Sequence, residues 1–272
     1  MTSSRRLFIG AGIAITIAVS FWLPWSSTSG QDKDSKIPND PATGFALVEL
    51  YTSEGCSSCP PADAVLVDLV HDAKKNNRRV YCIAFPVDYW NKLGWTEPHG
   101  DALHTKRQQE YSKVLRTEQI YTPQMIVNGT EEFVGSNKAK AQKSIGVALD
   151  QKVATTLTLG LEKPPGAGGV TIAYDIGSAP KTAVLNVAVV ESGLVSKVTR
   201  GENAGQTLAH ENVVRVFTTV AIDRTGKGTV ELKFPDGLDR KKSQVIAYVQ
   251  NPETKAIVGA SSIDLNTGKC SR

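Results

Sequence analysis

The apolar positions change period along the chain. Phe45 to Tyr51, "FALVELY", is a short run of β-formers and predicts a strand. In residues 62 to 75, "ADAVLVDLVHDAKK", Val65, Leu66, Leu69 and Val70 fall on one helical face. "RRVYCIAFPVDYW" holds a second strand, Val80 to Phe85. Strand, helix and strand in close succession predict a βαβ unit with parallel strands. An aromatic-rich loop, "VDYWNKLGWTEPHG", covers residues 87 to 100. Asp101 then suits the N-cap of a helix running to about Arg116. Gln124 to Val127 and Glu131 to Val134 flank Asn128-Gly129, a strong hairpin signal. Ser136 is placed to cap a last helix, from about Lys138 to Lys152.

From residue 153 the helical period vanishes. Seven short alternating runs follow: "TTLTLGL", "GVTIAYDI", "AVLNVAVVES", "VVRVFTTVAI", "GTVELKF", "QVIAYVQ" and "AIVGASSI". Gly, Pro and Asp separate most of them. This spacing predicts an all-β, sandwich-like C-terminal domain over residues 153–272. The α/β domain before it covers 45–152.

The first 44 residues read differently. Arg5 and Arg6 precede an uncharged apolar run from Leu7 to Leu23, and small polar residues follow. That is the layout of a signal peptide over residues 1–30, with 31–44 as a linker. Ser4-Arg5-Arg6-Leu7-Phe8-Ile9 also resembles a twin-arginine export signal. A helix from Leu7 to Leu23 would span roughly 25 Å, which leaves retention as an N-terminal membrane anchor open. Either outcome places the rest of the chain outside the cytoplasm, in the periplasm or secreted, where disulfides persist.

Composition adds little beyond that. The chain has 272 residues, 40% hydrophobic and 21% charged, which is ordinary for a globular protein. The net charge of +4 includes Arg5 and Arg6. No basic patch interleaved with aromatics suggests nucleic-acid binding. Contact with a membrane is expected only through the N-terminal segment.

The candidate chemistry lies in "LYTSEGCSSCPPADAVL". Cys56 and Cys59 follow the first strand and open the first helix. A Cys-x-x-Cys pair at a helix N-terminus supplies a nucleophilic thiolate and a second sulfur to resolve a mixed disulfide. Cys56 is the candidate nucleophile and Cys59 its resolving partner. Two neighbours oppose strong activation. Glu54 puts a carboxylate near the thiolate. Pro60 and Pro61 favour a helix that starts after Cys59, which leaves Cys56 on the preceding loop, where the helix dipole has faded.

The ordered set of Cys56 and Cys59, Thr122-Pro123, the Asn128-Gly129 turn and Gly135-Ser136 resembles the thioredoxin fold. "ELYTSEGCSSCPPAD", "VDYWNKLGW", "YTPQMIVNG" and "GENAGQTLAHENVVR" together resemble an exported bacterial thioredoxin-like family of unknown function, with a C-terminal β domain. That resemblance covers residues 45 to about 265 and implies a cis bond before Pro123, with Thr122 and Pro123 beside the cysteines. The expected function is thiol-disulfide oxidoreductase, acting on protein or small-molecule thiols and disulfides, with an unidentified periplasmic protein as a further partner. No organic cofactor is implied, because the chain has no Gly-rich phosphate loop in a useful context.

Two alternatives stay open. One is a non-catalytic binding module with a structural Cys56–Cys59 disulfide. The other is a copper- or zinc-handling protein that uses the pair with a third ligand. In the aromatic loop, Trp90 and Trp95 read as packing anchors or as a substrate-facing wall. Asp88 shares that reading, as part of the packed loop or the substrate-binding wall with Thr122, and reads also as a buried acid that moves protons for Cys59. His99 and His104 read as solvated. Cys82 reads as a core thiol, with a bridge to Cys270 as the alternative. Arg200, Glu202, Asn203, His210, Glu211 and Asn212 form a polar loop, read as a strand connection or as an interdomain or partner-binding surface.

Overall fold

The computed structural model describes residues 44–271, apart from 154, 164, 167 and 179. The expected leader or anchor and most of the linker lie outside the described residues. Among the described residues no helix is long and apolar enough to cross a membrane.

Strand β1 (Ala46–Thr52) leads through the cysteine turn into helix α1 (Pro60–Lys75), and β2 (Val80–Pro86) follows. The two strands pair in parallel, with Ala46 opposite Val80 and Thr52 opposite Pro86. Helix α2 (Ala102–Leu115) is capped by the Asp101 carboxylate, which accepts from Leu103 N at 2.8 Å. Strands β3 (Gln124–Val127) and β4 (Glu131–Val134) form an antiparallel hairpin, and β3 pairs antiparallel with β1. Helix α3 (Lys138–Leu149) closes this half. Its cap is Asn137, which accepts from Lys140 N, and not the expected Ser136.

The later strands are β5 (Thr156–Leu161), β6 (Gly169–Gly177), β7 (Val184–Glu191), β8 (Leu194–Lys197) and β9 (Thr207–His210). Next come β10 (Val213–Ala221), β11 (Lys227–Lys233), β12 (Ser243–Gln250), β13 (Ile257–Asp264) and β14 (Cys270–Ser271). They do not make a separate domain. A nine-stranded mixed sheet runs β14-β13-β12-β7-β10-β2-β1-β3-β4, straight across the expected boundary at residue 152. Strands β11-β6-β5 form a second sheet, and β8-β9 a small hairpin. The described residues form one compact unit.

The seam of the large sheet is thin. Strands β10 and β2 meet at one register pair, Val213 opposite Ala84. One backbone hydrogen bond contributes about 1 kcal/mol net, and a large buried apolar side chain about 1.5–3 kcal/mol. Side chains therefore hold the halves together. Leu47, Tyr51, Ile83, Phe85 and Ile126 share a core with Val190, Val214, Ile246, Tyr248 and Ile257. Within that core Glu49 and Arg107 form a buried ion pair at 2.9 Å. Tyr248 donates to Glu49 at 3.0 Å, and Arg107 donates to Gln250 at 3.1 Å. Tyr111 also donates to Glu49. The rings of Phe85, Tyr111, Phe217 and Tyr248 lie 5.1–5.7 Å from the guanidinium carbon. Residues of both halves thus satisfy one buried charge pair.

Two further cores flank the sheet. Ala62, Val65, Leu66 and Leu69 of α1, with Ala141 and Ile145 of α3, cover one face of β1–β3. Leu157, Leu159, Ile172 and Leu232 of the small sheet pack on Leu185, Val187, Val245 and Ala247 of the large one.

Candidate functional site

The cysteine turn sits where β1 hands over to α1. Prolines occupy the first two helical positions, and Cys59 is the N-cap residue. The Cys59 carbonyl accepts from Ala62 N at 2.8 Å and Asp63 N at 3.0 Å. Cys56 lies one turn earlier, outside the helix, as Pro60 and Pro61 predict. Residue exposure is 1% for Cys56 and 0% for Cys59. All four cysteines are thiols.

The two thiols of the pair are unequal. The Cys59 thiol hydrogen-bonds to the Cys56 sulfur and, with help from Ser58 and Thr122, lowers the Cys56 pKa to about 6 against the opposing effect of burial. Ser58 Oγ lies 3.2 Å from Cys56 Sγ, and the Cys56 thiol, when protonated, donates to the Thr122 carbonyl at 3.8 Å. Burial, and then the Cys56 sulfur itself, push the Cys59 thiol far up. The donors that lower the Cys56 pKa are Cys59 and Ser58 on the turn and Thr122 from outside it. The bond between Thr122 and Pro123 is cis.

The Glu54 carboxylate, expected to oppose the Cys56 thiolate, is held by two other groups. One oxygen accepts from Trp95 Nε1 at 2.8 Å, and the other lies 3.1 Å from His210 Nε2. The His210 approach is off the hydrogen-bonding line, so it acts as a charge contact. Burial would raise the Glu54 pKa, but His210, Ser196 and Trp95 outweigh it and hold it below the usual value. Burial would lower His210, but Glu54, Asp63 and Glu97 outweigh it and keep the imidazole above its usual range.

The charge of Asp63 bears on the Cys59 thiol and raises its pKa further. One carboxylate oxygen accepts from Thr52 Oγ1 at 2.8 Å. The other has no hydrogen-bond donor and lies 4.0 Å from His210 Nδ1. Burial pushes the Asp63 pKa up to about 6. Glu97, buried on the far side, accepts from Glu54 N at 2.6 Å and is pushed up to about 7, again chiefly by burial.

The other sequence candidates fall as follows. Trp90 donates its indole N–H to Thr122 Oγ1 at 2.7 Å, and Trp95 donates to Glu54. Both serve as anchors whose polar ends meet the site. Asp88 accepts from Thr105 Oγ1 at 2.6 Å, and the acid whose charge bears on the Cys59 thiol is Asp63. His104 is buried, with Nδ1 2.7 Å from the Pro86 carbonyl, because it packs edge-on against Phe85. Cys82 is buried and its thiol is pushed up to about 12, whereas exposed Cys270 lies 3.2 Å from the Leu159 carbonyl. Among the described residues no group of three or more His, Cys, Asp or Glu side chains is arranged to hold a metal ion.

The polar loop between β8 and β9 reaches this site from the second half of the chain. Asn203 donates to the carbonyls of Glu54 at 2.9 Å and Cys56 at 2.8 Å. Glu202 accepts from Ser57 N at 2.8 Å. Gly201, at φ +75°, holds a backbone conformation that a side chain would strain, and a Cβ there would lie 3.3 Å from Trp95 Cβ. Asp63 carries one sequence signal, an acid four residues after Cys59 on a buried helical face. Nothing local links Asn203 or His210 to Cys56.

No curated protein matches the chain. A crystal structure of a structural-genomics protein from Agrobacterium tumefaciens is similar, at 27% identity and a TM-score of 0.64. The match covers 82% of this chain and 96% of that one. A family model described as a protein of unknown function, DUF1223, matches residues 47–250, and the chain belongs to that family.

Proposed function

We propose that the chain is an exported thiol-disulfide oxidoreductase whose first half is thioredoxin-like. The observation that carries this reading is the split between the two thiols, with Cys56 lowered to about 6 and Cys59 raised. A structural disulfide needs no such inequality, whereas exchange does.

The steps balance without a cofactor. The Cys56 thiolate attacks one sulfur of a substrate disulfide and forms a mixed disulfide. The other substrate sulfur leaves as a thiolate and takes a proton from water. Asp63, as carboxylate, accepts the Cys59 proton. The Cys59 thiolate then attacks Cys56 Sγ, the Cys56–Cys59 disulfide forms, and the second substrate sulfur leaves as a thiolate and takes a proton from water. The substrate is reduced by two electrons and the pair is oxidised. The Thr122 carbonyl lies 3.8 Å from Cys56 Sγ, and Trp90 donates to the Thr122 side chain.

The test is to equilibrate the reduced full chain in a series of glutathione redox buffers and count Cys56–Cys59 disulfide by peptide mapping. A two-electron transition, absent in Cys56→Ser, is expected. A pair that stays reduced or oxidised across the series rejects the proposal. The low exposure of Cys56 favours a second reading, a binding module in which the turn is structural. That reading predicts a pair that does not exchange.

A further inference from the structure

We propose that Asn203 is a positioning residue for the Cys56 thiol, so that the β8–β9 loop is a working part of the thiol centre. This rests on the thiol-exchange reading above.

The argument begins with the turn itself. Residues 53–57 leave β1 and have not yet entered α1, so neither element's ladder fixes them. Within the turn, Cys56 N donates to the Ser53 carbonyl at 3.2 Å, and Cys59 N to the Cys56 carbonyl at 3.1 Å. These are local bonds, and they move with the turn. Asn203 is 1% exposed and comes from a sequence position 147 residues away. Its single amide group spans two carbonyls, those of Glu54 and Cys56. A planar amide that uses both hydrogens fixes the separation and direction of its two acceptors. It thereby sets the backbone on either side of Gly55 and aims the Cys56 side chain.

That aim matters because Cys56 is activated by short-range donors. The Cys59 thiol and the Ser58 side chain and backbone lower its pKa. Hydrogen bonds weaken steeply with distance and angle, so a turn free to shift would lose part of each. The neighbours of Asn203 agree with a clamp. Gln206 Nε2 lies 3.3 Å from Asn203 Oδ1, which orients the amide with its hydrogens toward the turn. Glu202 holds the Ser57 N–H, the next backbone donor along the turn. His210, at the far end of β9, holds Glu54. Turn residues Glu54, Cys56 and Ser57 are thus each held from the β8–β9 hairpin.

The experiment reads the thiolate directly. The reduced full chain is treated with iodoacetamide from pH 4.5 to 9, and Cys56 labelling is followed by peptide mapping, which separates it from Cys59, Cys82 and Cys270. The wild-type midpoint is expected near the value for Cys56, about 6. Asn203→Ala and Asn203→Asp remove both donors and should raise the midpoint by about one unit, a tenfold loss of thiolate well below it. Asn203→Ser keeps one donor and should recover part of the shift. Glu202→Ala alters an exposed residue, leaves the core packed, and should move the midpoint the same way by less. Folded Asn203 variants and Glu202→Ala with the wild-type midpoint overturn the proposal. Should the Asn203 variants not fold, an unmoved midpoint in Glu202→Ala overturns it alone. The glutathione series judges the redox reading separately. A shifted midpoint without a redox transition would uphold the positioning role and reject exchange.

Discussion

Asp63 donates its backbone N–H to the Cys59 carbonyl at 3.0 Å, and its charge bears on the Cys59 thiol from inside the core. One carboxylate oxygen is held by Thr52, and the other has no donor. A buried acid with an open oxygen and a pKa near 6 suits the role of proton acceptor for a buried thiol. Resolution of a mixed disulfide on Cys56 should therefore quicken as pH rises through about 6, where Asp63 ionises. In Asp63→Asn the step should slow by about 100-fold at pH 7–8 and lose that rise. Stopped-flow release of a chromogenic thiol from the preformed mixed disulfide measures both. An unchanged pH profile in Asp63→Asn would remove Asp63 from the mechanism.

Cys59 is the first cause of the lowered Cys56 pKa. Cys59→Ala should therefore raise the Cys56 labelling midpoint above 6 while it traps mixed disulfides. The same shift links to stability. Cys56 has a folded pKa of about 6 against an ordinary 9.0, so the unfolded chain binds more protons between those values. Stability from this group accordingly increases as pH rises from about 6 towards 9, and is lost as pH falls through 6. Urea unfolding of the reduced wild type minus that of Cys56→Ser should show this slope. A flat difference would contradict a lowered pKa.

The ion pair of Glu49 and Arg107 is enclosed, with Glu49 at 0% exposure. Arg107→Leu should destabilise the chain by about 3–5 kcal/mol, because it leaves a buried carboxylate without its partner. Glu49→Gln in the same chain should recover part of that loss. Denaturant midpoints of the single and double variants test the coupling, and strictly additive losses would show that the two residues do not act as a unit.

Gly129 sits at φ +73°, and a Cβ there would lie 1.9 Å from the Lys255 carbonyl oxygen. Asn128 beside it accepts from Leu47 N at 2.7 Å and, through its carbonyl, from Ile257 N at 3.0 Å. The hairpin thus docks on β1 and on the start of β13 together. Gly129→Ala should lower stability by at least about 1–3 kcal/mol from backbone strain alone. A thermal midpoint equal to wild type would show that the 250–257 turn can move away freely.

Local signals in the sequence were strong where structure is local. The helical period in 62–75, the Asp101 cap and the Asn128-Gly129 turn all correspond to observed elements. The seven alternating runs after residue 153 match β5, β6, β7, β10, β11, β12 and β13. Strands β8, β9 and β14 have no legible sequence signal, because runs of four or two residues with mixed polarity carry no clear period. Alternation also says which face of a strand is buried but not which strand lies beside it. That is why a separate β domain was expected where β10 in fact joins β2.

The sequence by itself determined the cysteine pair, its place ahead of a proline-started helix and the βαβ order around it. Each of these depends on residues within one or two turns of one another. Only the tertiary structure decided how reactive the pair is. It held Glu54 on His210, set the charge of Asp63 on the Cys59 thiol, and brought Asn203 onto the Cys56 carbonyl. A pKa depends on which charges and donors lie within a few ångströms. In this fold the donors to Cys56 are Cys59, Ser58 and Thr122, while Asn203 and Glu202, which hold the backbone of the turn, come from 147 and 145 residues away.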